Sequence, residues 1–135
     1  MATQKQLSGM QGVFLVAAEL SKRGIVASPT SRNAEGADML ATDTRCQKAF
    51  AVQVKTNART FSFWLVGANT TKSSSPSHVY VFVNLRKTKT EFFIVPSRIV
   101  AENVEVSRST TGSIWYSFPL RIAKRYEDNW DLFSQ

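Results

Sequence analysis

Leu7, Met10, Phe14, Ala17 and Leu20 recur at three- and four-residue steps, the spacing that lines apolar side chains along one side of an α-helix. The pattern predicts a first helix that stops near Gly24, a residue free to adopt the left-handed conformation that closes helices. Ile25 to Ser28 then reads as a short strand, Pro29 to Gly36 as a polar, turn-rich connection, and Ala37 to Thr42 as a second strand. Phe50, Val52 and Val54 alternate with Ala51, Gln53 and Lys55, so a third strand has one apolar face and one on which Gln53 and Lys55 point the same way. The intervening Asp43 to Gln47 has the length and composition of a hairpin connection. It pairs the two strands and sets Asp38 opposite the Gln53–Lys55 end.

Downstream, Phe61 to Val66 fits either a strand or a short helix, and Ala68 to Ser77 has the composition of a flexible loop. Val79 to Leu85 is an unbroken apolar run suited to a central strand buried on both faces. Glu91 to Val95 supplies another strand after the basic turn Arg86 to Lys89. Pro96 ends that strand, Ser97 caps a short helix through Ile99 and Ala101, and a last helical segment lies between Leu120 and Leu132. With no internal repeat, residues 1–135 read as a single α/β domain.

Composition narrows the classes. The chain is 43% hydrophobic and 11% aromatic, which argues against disorder. Seventeen Lys plus Arg against ten Asp plus Glu give a net charge of +7, which favours a polyanionic partner, although many small proteins are basic without one. A lone Cys46 excludes an internal disulfide and a cysteine zinc cluster. The first residues lack the apolar core of a signal peptide and no apolar run approaches a membrane span, so a cytoplasmic protein without membrane partners is expected. His78 is the sole histidine and precedes an apolar strand, a structural position rather than that of a catalytic base. Trp64, Trp115, Trp130, Phe92 and Phe93 are assigned to the core.

Asp38, followed by Gln53 and Lys55 on the paired strand, offers a metal ligand, a second oxygen ligand and a cation around one phosphate. The element order, with Gly9-Met10-Gln11-Gly12-Val13 on the first helix, Gly36-Ala37-Asp38, and Gln53-Val54-Lys55, resembles the PD-(D/E)xK nuclease superfamily over residues 5–100. Small stand-alone members similar to archaeal Holliday junction resolvases fit the size. The resemblance implies a restriction-endonuclease-like core, a central mixed β-sheet flanked by helices in αβββαβ order. It also implies a metal-dependent endonuclease acting on DNA, branched or structured DNA included and RNA left open, working as a homodimer with Mg2+ or Mn2+. Asp38, Gln53 and Lys55 would then be catalytic, with Asp38, Gln53 and the Val54 carbonyl as metal ligands. In such a site water attacks phosphorus in line, Asp38 holds the metal, and Lys55 orients the water or neutralises developing charge. Arg32, Asn33, Lys48, Arg59 and Lys72 lie in segments that can surround the cleft and contact phosphates, each of them also readable as a solvated surface residue.

Two residues depart from the family pattern. Val13 stands where the first helix usually carries a Glu, and Gln53 replaces the commoner acid. An amide oxygen suits Mg2+ in kind but brings no charge, so metal affinity should fall. Glu19 projects away from the apolar stripe and does not replace the missing acid, whereas Glu35 is nearer to Asp38 in the connection. The alternatives are a catalytically weak or inactive protein of the same fold that binds nucleic acid or a protein partner, and a basic interaction module in which Asp38 and Lys55 form a structural ion pair.

Overall fold

The computed structural model describes residues 1–30, 37–59, 61–72 and 74–134. Helix α1 (Gln4–Lys22) opens with a capping box in which Thr3 accepts from the Gln6 N–H and the Gln6 side chain accepts from the Thr3 N–H. It ends at Gly24, whose φ of +77° turns the chain into β1 (Ile25–Pro29), as its sequence position predicts. Strands β2 (Met39–Asp43) and β3 (Ala49–Asn57) form the expected antiparallel hairpin, with Met39 opposite Val52. The short β4 (Phe63–Leu65) and a 3-10 turn at Ala68–Thr71 lead to β5 (His78–Asn84), which runs parallel to β3. Then follow β6 (Glu91–Pro96), α2 (Ser97–Asn103), β7 (Glu105–Arg108), β8 (Ile114–Pro119) and α3 (Leu120–Ala123), with 3-10 turns at Lys124–Tyr126 and Trp130–Ser134.

Two sheets result. The larger has the order β1-β2-β3-β5-β6 and is mixed; the smaller is β4-β8-β7. Because β5 is buried along almost its whole length, its alternate residues feed two cores. Val79, Val81 and Val83 pack with Val16 and Leu20 of α1, with Val52 and Val54, and with Trp130 and Phe133 from the C-terminal turn. Tyr80 and Phe82 pack on the other face with Trp64, Phe93, Phe118 and Val100, beneath the small sheet and the shorter helices. Helices therefore flank a mixed central sheet, the layering that the family resemblance implies.

Several local expectations are corrected. Leu7, Met10 and Phe14 do not face the sheet; Phe14 is 59% exposed. The buried row of α1 is Ser8, Gly12, Val16 and Leu20, an i, i+4 series whose first members are small. Gly12 explains the choice: a Cβ there would collide with Oγ1 and Cβ of Thr56, so backbone approaches strand at a distance no other residue allows. The strand predicted from Ala37 begins at Met39; Ala37 and Asp38 precede it, their carbonyls accepting from Thr30. The segment taken as a flexible loop at 68–77 contains the 3-10 turn with Thr70 buried, and Ser75 is held by Ser97. Ser97 is accordingly inside α2 rather than its cap, with its hydroxyl spent on the Ser75 backbone. The last helical segment breaks into α3 and two 3-10 turns, and β7 and β8 were not anticipated.

The two glycines of α1 give opposite expectations. Gly12→Ala should lower stability by about 1–3 kcal/mol through overpacking, whereas at Gly9 an added Cβ meets nothing within 4 Å and Gly9→Ala should raise stability by up to about 1 kcal/mol. Urea unfolding of both variants reads the difference; equal effects would contradict the close contact at Gly12.

Candidate functional site

The site begins where β2 stops pairing with β3 through its backbone. The Asp38 N–H donates to the Val52 carbonyl at 2.8 Å, one residue beyond the strand, and its side chain then takes over. Oδ2 of Asp38 accepts the Val54 N–H at 2.7 Å and Gln53 Nε2 at 3.1 Å. On its other flank the Asp38 carbonyl accepts the Thr30 N–H at 2.9 Å, and Thr30 Oγ1 donates to the Ala37 carbonyl at 2.8 Å. Asp38 is therefore fixed from both sides by backbone groups. A carboxylate so held loses little further freedom when it meets a ligand. In a strand, one residue's N–H and C=O point to the same edge, so the Val54 carbonyl is turned toward the edge at which Asp38 sits.

Lys55 follows on the same strand, half-buried. Burial pushes its ammonium below the ordinary lysine range and the charge of Lys5 pushes the same way, while Asp38 opposes both. No ion pair joins Asp38 and Lys55 within salt-bridge distance, so the two groups act across a gap and not as a closed pair. Two cavities meet at this point. Asp38 lines one of about 490 Å³ together with Gln6, Val13, Phe14 and Thr30. Lys55 lines the second, of about 600 Å³, with Lys5, Asn57 and Phe61, and Gly9 and Val54 border both.

Val13, the residue in place of the family's helix acid, does stand on the wall of the Asp38 cavity. Oxygen donors of the kind a hard divalent cation requires are present in Asp38 Oδ1, the Val54 carbonyl and the Gln53 amide oxygen, but they carry a single formal charge. Among the described residues no group of three or more His, Cys, Asp or Glu gathers here or elsewhere. The residues fit Mg2+ or Mn2+ in donor type, with less charge than a two- or three-carboxylate site offers.

The other residues expected to bind nucleic acid are dispersed. Arg59 lies just past β3 and lines a basic cavity with Gln4, Ser8, Arg86 and Lys87. Lys48 sits in the hairpin turn, its N–H donating to Asp43 Oδ1 at 3.2 Å, at the far end of β3 from Lys55. Lys72 closes the 3-10 turn and lines neither the Asp38 nor the Lys55 cavity. Arg32, Asn33 and Glu35 lie outside the described residues. Glu19 bonds Arg23 at 2.7 Å and Lys22 at 3.3 Å on α1, which holds its carboxyl below the usual range and occupies it locally. Reading the sequence missed Thr30 and Lys5, whose only signals were a turn threonine before a strand and a lysine in a helix first turn.

The buried ammonium of Lys55 has a consequence for stability. Between its lowered pKa in the folded protein and the usual 10.5 the unfolded chain binds the extra proton, so stability gained from this group rises with pH across that interval. Lys55→Met should therefore raise the melting temperature at neutral pH, and the gain should shrink as pH approaches 10.5. Thermal melts across pH test this; a gain independent of pH would show that Lys55 is not desolvated.

No protein-family model and no curated protein matches this sequence. Solved structures do. The Holliday junction resolvase Hjc of Archaeoglobus fulgidus superposes with a TM-score of 0.53 at 12% identity, over 83% of this chain and 91% of that one. A bacterial homing endonuclease, I-Ssp6803I, superposes with a TM-score of 0.63 at 16% identity, over 98% of this chain and 91% of that one. Both are restriction-endonuclease-like nucleases, and the mixed five-stranded sheet flanked by helices is common ground. The protein thus has the restriction-endonuclease-like fold.

Proposed function

We propose that the protein is a metal-dependent endonuclease that hydrolyses phosphodiester bonds in DNA, with its chemistry at Asp38, Gln53 and Lys55. The observation that carries this reading is the Asp38 carboxylate, held by the Val54 N–H and Gln53 Nε2 at a strand end near the half-buried Lys55. Asp38, the Val54 carbonyl and the Gln53 amide oxygen would hold Mg2+ or Mn2+. The cation would supply positive charge to the scissile phosphate. Gln53 positions Asp38 by donating to Oδ2, and the Val54 N–H fixes the same oxygen, so Oδ1 is the oxygen that would meet a cation. Lys55 brings an ammonium into a partly desolvated cleft, where it orients the attacking water or offsets charge building on the phosphoryl oxygens. The net charge of +7 and the neighbouring Lys5 favour an anionic substrate. Branched DNA is a natural candidate, given that one structural neighbour is a Holliday junction resolvase. A homodimer would set two such sites against two strands, and the sedimentation mass tests it.

Val13 on the cavity wall favours a second reading, a protein of this fold that binds DNA but cuts it weakly or not at all. The two part cleanly in one assay. Linear, supercoiled and four-way-junction DNA incubated with Mg2+, Mn2+ or chelator should give metal-dependent products, reduced roughly 10²- to 10³-fold by Asp38→Asn and by Lys55→Met. Salt-sensitive binding without product would establish the second reading.

The charge deficit yields a gain-of-function test. Val13→Glu and Gln53→Glu each add a carboxylate at the walls of the Asp38 site, and each should tighten Mn2+ binding on the order of tenfold in calorimetry. Unchanged affinity in both would remove Asp38 and its neighbours as the metal site.

A further inference from the structure

Past the Lys55 cavity the floor continues across the small sheet. In β4, Phe63 and Leu65 point outward on either side of the buried Trp64. Both line the Lys55 cavity and also a larger one, of about 810 Å³, that lies over the outer face of β4, β8 and β7. Register puts Leu65 opposite Ser117 and Ser107 opposite Trp115, so Trp115 stands on this same outer face. Trp115 is 49% exposed, whereas Trp64 and Trp130 are 1% and 5% exposed. The assignment of all three tryptophans to the core is corrected for Trp115 alone. Arg121 and Lys124 border the Trp115 cavity, and Glu105, the one acid on it among the described residues, is bonded to Arg121 at 2.6 Å.

We propose that the outer face of the β4-β8-β7 sheet is a stacking platform for unpaired bases of a DNA strand whose phosphate lies at Asp38 and Lys55. The substrate class is then DNA with a single-stranded or extruded stretch beside the scissile bond. This rests on the nuclease reading of Asp38 and Lys55. Three features select this occupant over an apolar protein segment or a second copy. The platform is continuous with the candidate site, because the same two side chains, Phe63 and Leu65, border both cavities. Cations border both cavities it joins, Lys5 and Lys55 the first, Lys124 and the Glu105-bonded Arg121 the second, and a phosphate backbone needs such charges along its course. An exposed indole on one face with Phe63 and Leu65 matches the π-face that every base presents once it leaves the helical stack, and an intact duplex hides that face.

The test uses the Asp38→Asn protein in chelator, so that no cleavage intrudes. A blunt duplex is compared with the same duplex carrying a single-stranded extension. The extension should tighten binding about tenfold and quench tryptophan fluorescence, a signal that reports Trp115 because Trp64 and Trp130 are sealed. Trp115→Ala should abolish both the preference and the quenching, Trp115→Phe should keep most of the preference, and Lys124→Glu should weaken binding of the extended DNA. Circular dichroism verifies that each variant is folded. Equal affinity for the two DNAs without quenching overturns the platform and leaves the nuclease reading to its cleavage assay. A folded Trp115→Ala protein that keeps the preference also overturns it, as does a dimer that this substitution splits while DNA preference is unchanged. Absence of DNA binding at low salt removes the platform and the nuclease reading together.

Discussion

The contact between the α1 backbone at Gly12 and Thr56 of β3 sets the distance at which the first helix stands from the sheet. Everything around the candidate site inherits that distance. With the helix seated this closely, Val16 and Leu20 reach the valines of β3 and β5, and the first core closes without large side chains at the start of α1. The same seating brings Gly9 to the border between the two cavities, with Lys5 beside Lys55 and Val13 beside Asp38. At its other end α1 is pinned differently: Arg23 bonds Glu19 and lies 4.6 Å from the ring centre of Trp130, so the C-terminal turn covers the helix end.

A second constraint follows from the way β2 ends. A strand that stops leaves its neighbour's N–H groups without a backbone partner, and a buried N–H left so is costly. Asp38 resolves this by lending Oδ2 to Val54, which makes the carboxylate part of the sheet's hydrogen bonding and part of the cleft. One residue thus serves fold and candidate chemistry, and the loss of its carboxylate costs both. Stability measurements on Asp38 variants therefore have to accompany activity measurements. The Gln53 amide can be read in the same light. By donating Nε2 to Asp38 it braces a lone carboxylate, a task that an acid at that position would perform only by repelling it or sharing a cation.

Much of this was legible in the chain, for identifiable reasons. The hairpin of β2 and β3 is written in alternation, and alternation also fixes that Gln53 and Lys55 share a face, so the site's residues could be named from local pattern. The central strand was legible because only double-sided burial tolerates an unbroken apolar run. The face of α1 was not. Leu7, Met10 and Phe14 satisfy the helical period as well as the true buried row does, and what separates the two is the need for small residues at a close crossing, a tertiary fact. Strands β7 and β8 escaped because their burial is mostly one-sided or absent, Glu105 to Arg108 being exposed throughout. Thr30 and Lys5 join the site through contacts made across the fold, and no spacing in sequence announces such contacts.

The unequal treatment of the two sheets is the remaining point. The five-stranded sheet is covered on both faces at β5 and β6, while β1 and β2 leave Val26 and Leu40 exposed; the small sheet buries Trp64, Phe118 and their neighbours on its inner side. Its outer side keeps Phe63, Leu65 and Trp115 exposed, a concentration of apolar area that stability alone does not call for. Half-exposed aromatic rings forgo part of the transfer free energy that burial would return, about 25 cal/mol per Å² of apolar surface. Their position beside the Lys55 cavity, with Lys124 on the same cavity as Trp115, is where a strand leaving the Asp38 site would pass. A fold that secures its core on one sheet can leave the other free for recognition, and here the join between them is β4, whose buried Trp64 anchors the two side chains that border both cavities.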